Sequence, residues 1–120
     1  MAKKILVVDD EPNIIKVVKS RLEANYYEVA TATNGEEAVV KALAERPDLI
    51  LLDVHMPGVD GLEALRRIRS KPETRFTPVI MLTCEDQTDP ILAAKDLGVT
   101  DYLFKPFEPQ KLLDAIKIYI

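Results

Sequence analysis

The sequence predicts an α/β fold in which a parallel sheet of five strands lies between two layers of helices. Three apolar segments of four residues carry this prediction: Ile5–Val8, Leu49–Leu52 and Val79–Leu82. They are continuous rather than alternating, which is typical of strands that helices cover on both faces. Weaker strand signals cover Tyr27–Thr31 and Asp101–Phe104. Helical patterns separate these segments, and alternating strand–helix units favour parallel strands joined by right-handed crossovers.

The intervals between the strands carry helix-start signals. Pro12 suits a first helical turn, and Asn34 followed by Glu37 three residues later is typical of a capped start. Five helices are predicted, from Pro12, from Asn34, over Gly61–Ser70, from Thr88 to Gly98 and from Pro109 to the end. With no repeat or low-complexity stretch, residues 1–120 are expected to form one domain. At this length, a flavodoxin-like three-layer sandwich with strand order 2-1-3-4-5 is the natural arrangement.

Composition narrows the classes of function. The chain has 16 Lys and Arg against 20 Asp and Glu, a formal net charge of −4, so it lacks the basic surplus that direct nucleic-acid binding needs. Its single cysteine, Cys84, cannot form an internal disulfide, which fits a reducing compartment. The apolar runs are far too short to span a membrane. A cytoplasmic domain without direct contact to nucleic acid or membrane is therefore expected.

Charged and hydroxyl side chains follow the predicted strands. Asp9 and Asp10 follow the first strand, Asp53 the third, Thr83 the fourth and Lys105 the fifth. Because ligands of parallel sheets bind beyond the carboxyl ends of the strands, we expect these side chains to meet at one edge. Three crowded carboxylates repel one another and favour a cation, and oxygen-only ligands suit Mg²⁺. The sequence therefore predicts a hard-metal site.

The same group suits a phosphoryl group attached to a carboxylate. Lys105 and a metal would neutralise the phosphoryl oxygens, and Thr83 would donate a hydrogen bond to one of them. A carboxylate can itself be the nucleophile and form an aspartyl phosphate. Asp53 is the best placed, because it ends a central strand between the other groups. We therefore predict that Asp53, Lys105 and Thr83 carry the chemistry.

With these residues, the chain resembles the receiver domains of two-component response regulators, in particular the single-domain chemotaxis and phosphorelay regulators. The resemblance covers nearly all of the sequence from Lys4 to Ile120. The segments that carry it are Val7-Val8-Asp9-Asp10-Glu11, Asp53 with Met56-Pro57 and Asp60-Gly61, Thr83, and Asp101-Tyr102-Leu103-Phe104-Lys105-Pro106-Phe107. Together, in this order and spacing, these segments are specific to receiver domains.

The resemblance implies a role for each matching residue. Asp53 would be the phosphoacceptor, and Asp10, Asp53 and the backbone carbonyl of His55 would ligate Mg²⁺, or Mn²⁺ in its place. Asp9 would act through a bound water. Phosphorylation would draw Thr83 toward the phosphoryl oxygens, and Tyr102 would move inward. The resemblance also implies a cis peptide bond before Pro106.

The implied function is a phosphorylation-dependent switch rather than an enzyme with a diffusible substrate. A sensor histidine kinase or a histidine phosphotransfer protein would donate the phosphoryl group. The surface formed by the fourth predicted helix, the fifth strand and the last helix would then change and engage a downstream effector protein or domain. The switch is expected to be a monomer or a weak phospho-dependent dimer. A stand-alone regulator and a receiver within a larger protein remain alternatives.

The sequence leaves three alternative functions to consider, and one group of charged residues is assigned a purely structural role. An aspartyl-nucleophile phosphohydrolase places its two acids two residues apart, whereas Asp9 and Asp10 are adjacent. A nucleotide or flavin site lacks support because the first strand–helix turn has no glycine. A docking module without phosphorylation is a third alternative. Arg66, Arg67 and Arg69 are interpreted as the solvated face of the third helix.

Overall fold

A computed structural model of the chain describes residues 2–84 and 95–120, with nothing described of the Cys84 side chain. Strands and helices alternate within these ranges as predicted. They are β1 (Lys4–Val8), α1 (Pro12–Ala24), β2 (Glu28–Ala32), α2 (Gly35–Glu45), β3 (Leu49–Asp53), α3 (Gly61–Ser70), β4 (Val79–Cys84), β5 (Asp101–Lys105) and α4 (Pro109–Tyr119). The helix predicted to begin at Thr88 falls largely outside the described residues. Each of the other four predicted helices is present.

The five strands form one parallel sheet in the order β2-β1-β3-β4-β5, which confirms the predicted topology. Its register brings the carboxyl ends of the strands to a common edge. Asp53 at the end of β3 pairs with Leu82 of β4, and Lys105 at the end of β5 pairs with Cys84. This edge is where the sequence placed the candidate site.

Alternate residues of the central strands pack on opposite faces of the sheet, as their continuous apolar sequences predict. Leu6 and Leu52 point to the face covered by α2 and α3, whereas Ile5 and Leu51 point to the face covered by α1 and α4. All four are fully buried. Burying a side chain of this size stabilises the fold by about 1.5–3 kcal/mol, so the two apolar cores hold the strand ends in place.

Two helices that begin near the site have side-chain caps. The Asn34 side chain accepts a hydrogen bond of 2.8 Å from the Glu37 backbone N–H, as the sequence predicted. Asp60 does the same for Glu63 at the start of α3, over 2.9 Å. Each cap satisfies a helix-terminal N–H and fixes where the chain enters the helix.

The arginines of α3 do not all lie on a solvated face. Arg66 and Arg67 bond to Glu63, which agrees with the sequence interpretation. Arg69 contradicts it: its half-buried guanidinium donates to the backbone carbonyls of Thr77 and Gly98, over 2.7 and 3.0 Å. Arg69 therefore joins α3 to the segments that precede β4 and β5. Sequence spacing alone missed this role because the acceptor carbonyls come from segments outside the helix.

Among the described residues, no helix combines the length and the apolar character needed to cross a membrane.

Candidate functional site

Three carboxylates meet at the carboxyl edge of the sheet. Asp9 and Asp10 follow β1, Asp53 ends β3, and one oxygen from each lies within 4.8 Å of the other two. Asp9 is fully buried and Asp53 is 5% exposed, whereas Asp10 faces solvent. The cluster thus has a buried floor and one open carboxylate, and the structure brings together the three acids that the sequence singled out.

Asp9 is held from two sides. Its Oδ1 accepts a hydrogen bond of 3.0 Å from the Glu11 backbone N–H, and its Oδ2 accepts one of 3.0 Å from Lys105 Nζ. The first bond closes a turn from residue i to i+2, which aspartate often forms. Asp9 is therefore fixed before α1 begins at Pro12.

Lys105 connects the carboxylates of two strands. Its Nζ donates to Asp9 and also to Asp53 Oδ1, over 3.2 Å. The lysine side chain is 16% exposed. The peptide bond between Lys105 and Pro106 is cis, as the resemblance implied. The ammonium thus lies at the end of β5 against both buried acids.

Burial and like charge shift the protonation of Asp53. Burial, followed by the charge of Asp9, raises the pKa of Asp53 from 3.8 to about 6, although Lys105 opposes this shift. Burial acts to lower the pKa of Lys105, but its hydrogen bond to Asp9 and the charges of Asp53 and Asp9 raise it overall. At neutral pH, Asp53 is therefore ionised beside a charged ammonium.

The remaining predicted residues lie around this cluster. Thr83 is buried at 1% exposure and follows Leu82, the β4 residue that pairs with Asp53. His55 is exposed in the loop between β3 and α3. Tyr102 is half-buried on β5, opposite Met81 of β4, and packs against the core beneath α2 and α3. The structure gives Thr83 and Tyr102 positions on adjacent strands.

Sequence reasoning missed how closely α3 approaches the site. The Gly61 backbone N–H donates to Val54 O over 2.9 Å, and a Cβ atom on Gly61 would lie 2.0 Å from Asp53 O. Any side chain there would displace the backbone of Asp53. The sequence signal for this close approach is the glycine directly after the capping Asp60, where alanine would favour the helix more strongly.

The acidic cluster fits a divalent cation. Its donors are carboxylate oxygens, which hard ions such as Mg²⁺ prefer, and its exposed member, Asp10, leaves the cluster open to solvent. Burial and the charge of Asp9 both raise the pKa of Asp53, and positive charge close to this carboxylate would oppose them. A metal ion bound here would supply that charge.

Comparisons with known proteins agree with this geometry. The family model of the response regulator receiver domain matches residues 5–117. The chain is 43% identical over 117 residues to the alkaline phosphatase synthesis transcriptional regulatory protein PhoP of Bacillus subtilis, covering 98% of this chain and 48% of that protein. It is also 43% identical to the transcriptional regulatory protein ResD of the same organism, of which it covers 46%. The chain thus spans about half the length of these curated relatives.

Solved structures include close structural neighbours. Vibrio cholerae chemotaxis protein CheY4 matches with a TM-score of 0.94 and 38% identity, and each chain is covered completely. The receiver domain of sensor histidine kinase PA1611 from Pseudomonas aeruginosa matches with a TM-score of 0.91 and 32% identity, over 99% of this chain and 98% of that one. That structure holds a magnesium ion in its active site cleft.

The chain belongs to the response regulator receiver domain family. A receiver domain is a phosphoacceptor signalling module of two-component systems and not a conventional enzyme. Its flavodoxin-like fold and acidic, metal-competent site agree with this membership.

Proposed function

We propose that residues 1–120 form a single receiver domain that accepts a phosphoryl group on Asp53 from a sensor histidine kinase or a histidine phosphotransfer protein. One observation carries the proposal: Asp53 ends a central strand as a buried carboxylate, bonded to Lys105 and within 4.8 Å of Asp9 and Asp10. A nucleophile, a cation and a set of metal ligands thus share one edge of the sheet.

Transfer requires an ionised carboxylate beside a group that neutralises phosphoryl charge. An Oδ atom of Asp53 attacks phosphorus, a P–O bond forms, and the P–N bond of phosphohistidine breaks as the leaving imidazole takes a proton. Because the pKa of Asp53 is about 6, the nucleophile is mostly ionised at neutral pH. Lys105 is close enough to turn from the carboxylates to the phosphoryl oxygens, where its charge stabilises the product.

Asp10, Asp53 and the His55 backbone carbonyl would hold Mg²⁺ or Mn²⁺, with Asp9 acting through a water molecule. When bound, the ion would neutralise phosphoryl oxygens and lower the affinity of Asp53 for protons. The donor set of the acidic cluster supports this assignment. In support of it, the PA1611 receiver domain holds magnesium in its active site cleft.

The output would be a shift between two arrangements of one surface. Thr83 moves toward the phosphoryl group, Tyr102 turns inward, and the face formed by β5, α4 and the predicted helix from Thr88 changes. Contacts made only in the phosphorylated arrangement bias an equilibrium that already exists. The positions of Thr83 and Tyr102 on neighbouring strands support this coupling.

The partners follow from this role. The phosphoryl donor is a cytoplasmic phosphohistidine protein, and the recipient of the signal is an effector protein or domain. We propose that the receiver itself works as a monomer or a weak phospho-dependent dimer, without direct contact to nucleic acid or membrane.

Intact mass after incubation with acetyl phosphate, with and without Mg²⁺, tests the proposal. The unaltered chain should gain the mass of one phosphoryl group only with Mg²⁺, and Asp53→Asn should gain none. Asp60→Asn is the matched control, because Asp60 lies in the same loop region and asparagine also caps helices. A phosphoryl group on Asp53→Asn, or no transfer from either acetyl phosphate or a phosphohistidine donor, would contradict the proposal.

A further inference from the structure

The start of α2 lies directly against the loop that joins β3 to α3, residues 54–60. The Gly35 backbone N–H donates to Val59 O over 3.1 Å. A Cβ atom on Gly35 would lie 2.2 Å from Val59 O and 2.6 Å from Val59 Cγ1. The nearest obstacle is backbone, so a side chain at position 35 would have to push the loop away from α2.

The same loop is also anchored at both of its ends. Gly61 bonds to Val54 O over 2.9 Å, and Asp60 caps α3. Val54 and Met56 are buried in the core beneath α2 and α3. With both ends fixed, the contact between Gly35 and Val59 holds residues 57–59, which form the crown of the loop. The His55 carbonyl, a proposed metal ligand, belongs to this loop.

Helix formation does not explain a glycine at position 35. It is the first residue of α2 after the Asn34 cap, and alanine is the better helix former. Its φ is not positive, unlike those of Gly58 and Gly98. The close approach of Val59 is therefore the feature that requires glycine here.

The contact also borders the acidic cluster. A surface cavity of about 440 Å³ is lined by Asp10, Thr33, Asn34, Glu36 and residues 57–59. The start of α2, the crown of the loop and the exposed metal-site carboxylate thus face one space. A displacement of the loop at Val59 changes the lining of the space that Asp10 also lines.

We propose that Gly35 is a positioning residue for the metal site: by admitting Val59 O to within hydrogen-bond distance, it sets the β3–α3 loop relative to Asp10 and Asp53. The inference rests on the proposed function, because the loop is taken to supply a metal ligand. Gly35 itself touches none of the reacting groups. Its role is specific to metal affinity rather than to the acceptor.

Isothermal titration of the full chain with Mg²⁺, paired with urea unfolding, tests this role. Gly35→Ala should weaken Mg²⁺ binding about tenfold, a loss typical of altered support around a metal ligand. Phosphorylation by acetyl phosphate should fall at low Mg²⁺ and recover at saturating Mg²⁺, because the acceptor is intact. In the metal-free protein, the amide resonances of residues 54–56 and 58–60 should shift.

Ala42→Gly is the matched control, since it weakens the same helix at a buried position away from Val59. It should lower the free energy of unfolding and leave Mg²⁺ affinity within about twofold of the unaltered chain. If Gly35→Ala fails to fold, Val59→Gly loosens the crown without a clash and should also weaken Mg²⁺ binding several-fold.

Two results overturn the inference in different ways. Unchanged Mg²⁺ affinity in Gly35→Ala, or in Val59→Gly should the former fail to fold, excludes the positioning role while the proposed function stands. If the unaltered chain neither binds Mg²⁺ nor accepts a phosphoryl group, the proposed function fails and this inference fails with it.

Discussion

Lys105 Nζ donates a hydrogen bond of 3.2 Å to Asp53 Oδ1, although β4 lies between the strands that carry these two residues. The bond spans the carboxyl edge of the sheet and places an ammonium against the carboxylate that we propose as acceptor. It moderates the cost of an ionised carboxylate in a buried position. The two residues therefore titrate as interacting groups.

Removing the lysine charge should make Asp53 harder to ionise. In Lys105→Met, the pKa of Asp53 should rise above its value of about 6, because the charge and hydrogen bond of Lys105 both lower it. We expect an increase of about one unit or more, the usual effect of losing a close opposite charge. Carboxyl ¹³C resonances followed against pH measure this shift. Replacing the exposed Lys117 of α4, as Lys117→Met, should leave the titration unchanged. An unchanged pKa of Asp53 in Lys105→Met would exclude the coupling.

Protons and Mg²⁺ should compete for Asp53. Below a pH of about 6 the carboxyl is mostly protonated and cannot ligate, so Mg²⁺ affinity should fall as pH falls, approaching about tenfold per unit. Above a pH of about 7 it should level off. Calorimetric titrations at several pH values measure this dependence. Constant affinity across the acidic range would show that Asp53 is not a ligand.

The metal-free fold should gain stability when Asp53 loses its charge. The pKa of Asp53 is raised in the folded state, so its protonation stabilises the fold fully below about 3.8, and this stabilisation is lost as pH rises through about 6. At neutral pH, Asp53→Asn should therefore raise the free energy of unfolding by about 1–3 kcal/mol. Urea unfolding without Mg²⁺ measures the gain. It should vanish at a pH of about 4 or lower, and exposed Asp114→Asn should show no comparable gain.

Tyr26 adopts a conformation that favours glycine. Its φ is 70°, and the residue is 88% exposed, so little burial offsets the strain. Tyr26→Gly should stabilise the fold by about 0.5–1 kcal/mol, after the entropy of glycine is subtracted. Thermal unfolding measures the change, and Tyr26→Phe, which keeps the strain, should be neutral. A destabilised glycine variant would mean that the aromatic ring makes a contribution greater than the strain.

Arg69 should matter more to stability than its neighbour Arg66. Arg69→Met leaves the carbonyls of Thr74, Thr77 and Gly98 without their guanidinium donor. We expect a loss of about 2–3 kcal/mol, since hydrogen bonds to charged groups contribute more than neutral ones. Arg66→Met removes an exposed ion pair and should cost at most about 1 kcal/mol. Equal losses in urea unfolding would contradict the role assigned to Arg69.

The sequence predicted the sheet and the acidic cluster because both depend on local pattern. Continuous apolar segments indicated buried strands, and the topology of parallel strands then brought Asp9, Asp53 and Lys105 to one edge. Contacts that depend on packing between distant segments left no such pattern. Gly35 against Val59 is one example.

Arg69 is a second residue whose contacts could not be predicted from the sequence. Its spacing on α3 matched a solvated arginine, but the chain folds carbonyls from two segments, those that precede β4 and β5, around it. Position along a helix predicts which face a side chain occupies. It does not predict which segment arrives on that face.

Chemical mapping of the phosphoryl group tests directly whether Asp53 is the acceptor. Borohydride reduces an aspartyl phosphate to homoserine, so the chain is treated with acetyl phosphate and Mg²⁺, reduced, digested and sequenced by mass spectrometry. We expect homoserine at position 53 and unmodified aspartate at positions 9 and 10. Homoserine at either of those positions, or a phosphoryl group that resists reduction, would show that Asp53 is not the acceptor.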